Sequence, residues 1–185
     1  AISTDDSRII QHSKKYKINY FIKRDKKYSQ DYSKSIYVVL DVLRKNTNKI
    51  IGNRSFSNNP SIVHTLGRVC VKQYELNKLA TVIKHVPGHG CASIDSHLKM
   101  PKVTLSYKDL NKIDFLPFKS NPSKFAMTAH ILYEKIDNKN VATFSKKIIK
   151  NIIREKIGFK GILISDDISM KALKYDLVTN AKKSL

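Results

Sequence analysis

Four short apolar runs, each closing on polar or ionisable residues, constrain this chain more than any other feature. They are Ile36–Leu43 with Asp41 near its end, Leu79–Ile83 leading into Lys84 and His85, Ala126–Ile131 containing His130, and Gly161–Ile164 leading into Ser165, Asp166 and Asp167. Apolar, β-branched runs of this length read as strands buried on both faces, the kind found in parallel sheets. Segments with helical spacing lie between them. Asn59 and Pro60 open one, in which Ile62, Val63, Leu66, Val69, Cys70 and Tyr74 recur at intervals of three and four before it ends near Leu76. Phe144–Ile157 is another: Ile148, Ile149, Ile152, Ile153 and Ile157 line one face, Ser145 is placed to cap it and Gly158 to stop it. Strand and helix thus alternate about four times, the pattern of an α/β fold of TIM-barrel (β/α)8 type with about four of eight units visible. A doubly wound sheet is the alternative, but no glycine-rich phosphate loop follows any strand.

The rest of the chain is less regular. Residues 1–35 fit no hydrophobic period, with a short edge strand at Ile18–Ile22, and the barrel-like domain is expected over 36–185. Leu98–Tyr107 has strand-like pieces around Pro101, and Asp109–Phe118 reads as a helix or turn ending at Pro117. At 185 residues and 41% hydrophobic content the chain suits one domain with a real core. No apolar run approaches the roughly 20 residues of a membrane span, and Ala1–Arg8 lack a signal pattern. Cys70 and Cys91 make neither a disulfide framework nor a Cys-x-x-Cys pair, so a reducing cytoplasmic setting is expected.

A net charge of +20 raises the question of an anionic partner. The arginines are only Arg8, Arg24, Arg44, Arg54, Arg68 and Arg154, and the lysines are scattered along the whole length. A dedicated nucleic-acid site concentrates arginine on one face. A non-catalytic basic nucleic-acid-binding protein is therefore the alternative reading and not the preferred one.

Chemistry concentrates where the second apolar run ends. Pro87, Gly88 and Gly90 break regular structure, and the loop they open carries His89, Asp95 and His97. Asp95-Ser96-His97 puts a carboxylate two residues from an imidazole, a spacing that lets Asp95 fix the tautomer of His97 and free its other nitrogen for proton transfer. Asp166, directly after an apolar run, supplies a carboxylate at another strand end, and Arg54, Lys84 and His85 supply donors for hydroxyl or carbonyl groups. Asp167 is placed to orient its neighbours or to cap Ser169 onward as a helix start. Such a set suits glycoside hydrolysis. A metal site from His85, His89 and His97 is the rival, without the spacings that make zinc motifs specific.

The run Lys84-His85-Val86-Pro87-Gly88-His89-Gly90 with Asp95-Ser96-His97 resembles the signature of the glycoside hydrolase family 3 β-N-acetylglucosaminidases, bacterial enzymes of peptidoglycan recycling. Ile51-Gly52-Asn53-Arg54-Ser55-Phe56, Met127-Thr128-Ala129-His130-Ile131, and Gly158-Phe159-Lys160-Gly161 running into Ile164-Ser165-Asp166-Asp167-Ile168-Ser169-Met170 are similar as well. The resemblance covers about residues 36 to 173. It implies a (β/α)8 barrel that removes terminal β-linked N-acetylglucosamine with retention, needing no cofactor or metal. It implies Asp166 as nucleophile, His97 as acid/base, Asp95 as its orienting partner, and Arg54, Lys84 and His85 as sugar-binding residues. The implied partner is an N-acetylglucosamine-containing cell-wall sugar. The chain departs from the family pattern in lacking an Asp-Gln-Glu-Gly-Gly-Arg type segment in residues 1–35. Cys91 follows Gly-His-Gly where an acidic residue is usual, and Asn53 replaces an Asp. The expectation is a partial barrel, impaired unless a complementing chain supplies the missing strands.

Overall fold

A computed structural model describes residues 2–4, 11, 21–23, 56–92, 96 and 99–184. The expected strand Ile36–Leu43, and with it Asp41, lies outside the described residues, as do Arg54, Asp95 and His97. The chain divides into two compact units, Ala1–Asn48 with Gly52–Asn58, and Lys49–Ile51 with Asn59–Leu185. In the first, β1 (Ile2–Thr4) and β2 (Phe21–Lys23) pair in parallel, with Ile2 opposite Phe21. β2 overlaps the short strand expected at Ile18–Ile22.

The second unit opens with α1 (Pro60–Leu76), with the boundaries its sequence implies. The Asn59 side chain accepts from the Ser61 amide at 2.9 Å, satisfying one of the free donors of the first turn. In chain order there follow β3 (Val82–Val86), β4 (Lys102–Val103), α2 (Tyr107–Lys112), a 3-10 turn (Leu116–Phe118), β5 (Phe125–Thr128), β6 (Leu132–Tyr133), a π-helix (Ile148–Lys156), β7 (Ile162–Ser165) and α3 (Leu177–Ser184). β3, β5 and β7 form a parallel sheet in that order, and β4 pairs in parallel with β6.

Three expectations need correcting. The strand expected at Leu79–Ile83 runs instead from Val82 to Val86, so Lys84 and His85 are strand residues. The reason lies at the end of α1: Lys78 takes a left-handed φ of 59°, and the Leu79 amide donates back to Tyr74 O at 3.0 Å, closing the helix. Second, the strands are not buried on both faces. In register, Ile83, Ala126 and Leu163 pack against the core. The opposite face carries Val82 (45% exposed) and Ile162 (59% exposed), with Phe125 between them. Third, the isoleucine-rich segment winds as a π-helix, with the Ile157 amide donating to Ile152 O at 2.8 Å. Its buried residues Ile148, Ile152, Ile153 and Ile157 recur at four and five, spacings that the wider winding brings onto one line.

The ends of that segment follow the sequence. Ser145 Oγ accepts from the Ile148 amide at 3.1 Å, and Gly158 takes φ 79° just past the last turn. Arg154 then bridges the helix to the next strand, donating to Phe159 O at 3.0 Å and Gly161 O at 2.7 Å. The core is filled by Leu110, Phe115, Ile131, Tyr133, Ile148 and Ile153, all fully buried. At the start of β5, Ser123 Oγ donates to Thr81 O at 2.7 Å, tying it to the approach to β3.

Two substitutions separate a local cap from a tertiary contact. Asn59→Ala removes one capping bond and should cost about 1 kcal/mol. A Cβ at Gly161 would sit 2.3 Å from Lys124 O and 2.7 Å from Phe159 Cζ, neither backbone nor buried ring able to yield freely. Gly161→Ala should therefore cost about 3 kcal/mol, the upper end of overpacking. Urea unfolding of both variants, with m unchanged, checks the order.

Candidate active site

Parallel pairing sets Val86, Thr128 and Ser165 opposite one another at the carboxyl ends of β3, β5 and β7. The Ala129 amide donates to Val86 O at 2.7 Å just beyond, so β3 and β5 stay joined past the last ladder pair. Ligand sites of parallel α/β folds gather at such ends. Two sequence-predicted residues meet here. His85 Nε2, from the end of β3, lies 3.4 Å from Asp166 Oδ2, the first residue after β7. Both side chains keep a little exposure, 16% and 14%. Asp166 Oδ1 accepts from the Asp167 amide at 2.9 Å, which orients the carboxylate and leaves Oδ2 on the His85 side. An oriented, partly accessible carboxylate beside an imidazole is chemically suited to nucleophilic or acid–base work. Lys84 is exposed, level with Met127 and Ile164 in the register.

No helix starts at Ser169, where the chain forms a turn, but Asp167 holds that turn, its Oδ1 accepting from the Ser169 amide at 2.8 Å and hydroxyl at 2.7 Å. Its carbonyl lies 3.0 Å from His130 Nε2. A carbonyl only accepts, so Nε2 carries the proton. Burial holds the His130 pKa below the usual imidazole range, so the ring is neutral and Nδ1 accepts from the Thr143 hydroxyl at 2.7 Å. Thr128 Oγ1 in turn donates to Thr143 Oγ1 at 3.0 Å. His130, at the end of the third apolar run, thus braces the backbone immediately after Asp166. It is 1% exposed, so it shapes the site wall and not its open surface.

The loop after β3 is held from two sides. The Tyr133 hydroxyl, wholly buried, donates to Gly88 O at 2.6 Å. Asp114 Oδ1 accepts from the Cys91 amide at 3.1 Å, and Gly90 packs against the same oxygen, which an added Cβ would meet at 3.0 Å. The loop approaches this carboxylate so closely that a Cβ at Gly88 would fall 2.4 Å from Asp114 Cβ. Further along, Ser96 is buried, and its carbonyl accepts from the Ala172 amide at 3.2 Å. Ser96 stands between Asp95 and His97 in sequence, and Ala172 follows Asp166 by six residues. Sequence reading passed over Asp114, Tyr133 and Thr143. Asp114 alone left a trace, as a carboxylate set between Ile113 and Phe115 just before Leu116-Pro117.

Burial raises the Asp114 carboxyl to about 6, against the lowering effect of the hydrogen bonds from Cys91 and Gly90. Burial, reinforced by the Asp114 charge, pushes the Cys91 thiol up to about 12. A carboxyl whose folded pKa lies above its unfolded value contributes stability that is complete below pH 4 or so and fades as pH rises through about 6. Asp114→Asn removes that dependence. The unfolding free energy of the variant minus that of the wild type should therefore grow by roughly 2–3 kcal/mol between pH 4 and 7.5 and then level off. Urea titrations of both chains across this range check it.

Comparison with known proteins places this arrangement. The model of the glycosyl hydrolase family 3 N-terminal domain matches residues 31–185. A β-hexosaminidase of Neisseria meningitidis serogroup C is 41% identical over 125 residues, covering 66% of this chain and 34% of that protein. The β-hexosaminidase of Bordetella avium is 34% identical over 154 residues, 80% of this chain and 43% of its own length. The crystal structure of NagZ from Neisseria gonorrhoeae in complex with N-trifluoroacetyl-D-glucosamine superposes with TM-score 0.65 at 36% identity, covering 73% of this chain and 39% of that one. The chain thus spans a quarter to less than half of the length of the curated relatives it matches. With the strand ends, the His85–Asp166 pair and the loop between them in place, the chain belongs to glycosyl hydrolase family 3, with the TIM-barrel-type fold of its N-terminal domain.

Proposed function

We propose that this chain carries the catalytic part of a retaining β-N-acetylhexosaminidase that removes terminal, non-reducing β-linked N-acetylglucosamine from cell-wall fragments in the cytoplasm, in peptidoglycan recycling. The observation that carries this reading is Asp166 at the end of β7, oriented by the Asp167 amide and facing His85 at the end of β3. Family membership supports it, as does the relative crystallised with an N-acylated glucosamine.

In this reading Asp166 attacks the anomeric carbon while His97 protonates the leaving oxygen. The bond to the aglycone breaks as the glycosyl ester forms, and His97 then takes a proton from the water that hydrolyses that ester. Asp95 orients His97, and Arg54, Lys84 and His85 hold the sugar. The Ser96 tie to Ala172 draws the loop toward the segment after Asp166, which is what a shared reaction centre requires. Residues 36–185 act as the barrel domain and 1–35 stand outside it. The exposed face of β3, β5 and β7 suits further barrel strands, and a complementing chain is one source of them.

No helix among the described residues is long and apolar enough to cross a membrane. A chromogenic N-acetylglucosaminide tests the reading. Turnover should fall by about 1,000-fold or more in Asp166→Asn, and a glycosyl ester on Asp166 should appear in intact-mass spectra of trapped wild type. Activity kept in Asp166→Asn with no ester would assign the attack to the substrate's own acetamido group. Turnover by the 185-residue chain without any addition would remove the need for a complementing chain.

A further inference from the structure

The base of the catalytic loop is fastened by a buried carboxylate that takes no part in the proposed chemistry. Asp114 follows α2, is 3% exposed, and accepts from the Cys91 amide at Oδ1, with Gly90 packed against the same oxygen. Its second oxygen, Oδ2, is buried and has no hydrogen-bond partner among the described residues. A buried carboxylate with an idle oxygen is costly to keep, and an amide or an apolar residue would fill this space at less expense. Its geometry is specific to the loop. The closest approaches to added Cβ atoms at both Gly88 and Gly90 come from Asp114. From the other side, Tyr133 grips the Gly88 carbonyl.

We propose that Asp114 is a positioning residue for the loop that carries Asp95 and His97, with Tyr133 as the opposing clamp. The carboxylate fixes the Cys91 amide, and the buried Ser96, bonded to Ala172, fixes a second point of the loop beside the segment after Asp166. The described parts of the loop, Gly88–Cys91 and Ser96, are thereby each fastened to the rest of the unit. The consequence for turnover rests on the glycosidase reading above, while the clamp itself does not.

Hydrogen exchange of the 185-residue chain, read by mass spectrometry, tests the clamp. In Asp114→Ala, peptides spanning 88–98 should exchange about 10-fold faster or more, as expected for losing hydrogen bonds to a charged group, while 125–133 and 148–157 hold their protection. Asp114→Asn keeps an acceptor at the Oδ1 position and should stay within about threefold of wild type in the same peptides. With the chromogenic N-acetylglucosaminide, Asp114→Ala should lower kcat about 10-fold or more with KM nearly unchanged, and Asp114→Asn should restore most of it. Unchanged exchange in 88–98, or faster exchange spread evenly over the chain, overturns the proposal. If Asp114→Ala does not fold, Tyr133→Phe takes its place: faster exchange confined to 88–98 supports the paired clamp, and no local change overturns it. A wild-type chain without turnover counts against the glycosidase reading alone, since exchange then decides the clamp.

Discussion

Val86, Thr128 and Ser165 stand opposite one another in a parallel sheet, and three strands therefore deliver their carboxyl ends to one level. Every contact at the site follows from that register. His85 and Asp166 come from distant parts of the sequence and meet at 3.4 Å because the strands before them are aligned. Slipping one strand by a residue would turn Ile83, Ala126 or Leu163 away from the core and would separate the pair. Packing on one face of the sheet and chemistry at its end are thus set by a single choice of pairing. Crossovers enforce that choice from outside the sheet, through Arg154 bonded to Gly161 O and Ser123 bonded to Thr81 O.

The walls of the site follow a second rule. Burial acts on His130 and Asp114 in opposite directions, lowering one and raising the other, and both shifts favour the uncharged form. His130 passes its constraint through hydrogen bonds to Thr143 and to the Asp167 carbonyl, so it acts as a strut. At the strand ends the partly accessible carboxylate is Asp166, with His85 Nε2 3.4 Å from it.

Local chemistry was the legible part of the sequence. Asn59 and Pro60 start α1, Ser145 and Gly158 bound the isoleucine-rich helix, and Asp167 caps the turn after β7, each through atoms a few residues apart. Asp166 stood out because a carboxylate directly after an apolar run is hard to place elsewhere. What failed was decided by contacts across the chain. The start of β3 moved to Val82 because the Leu79 amide is used to close α1. The π winding answers to the core and not to propensity. Asp114 escaped notice because its partners lie in a loop on the other side of α2, and no local pattern announces them. Arg54, Asp95 and His97 lie outside the described residues, and their roles are drawn from the family resemblance.

The two faces of the central sheet also differ in how they tolerate change. A polar side chain at Ile162 or Ile164 would meet water that the present residue already meets. The same replacement at Leu163 would push a polar group into the packed side, at a cost of about 1–3 kcal/mol. Neighbouring positions in one strand are therefore held by unlike forces, wetting on one side and contact density on the other. Within this chain, tolerance to a polar side chain along β7 therefore alternates residue by residue with the pleat.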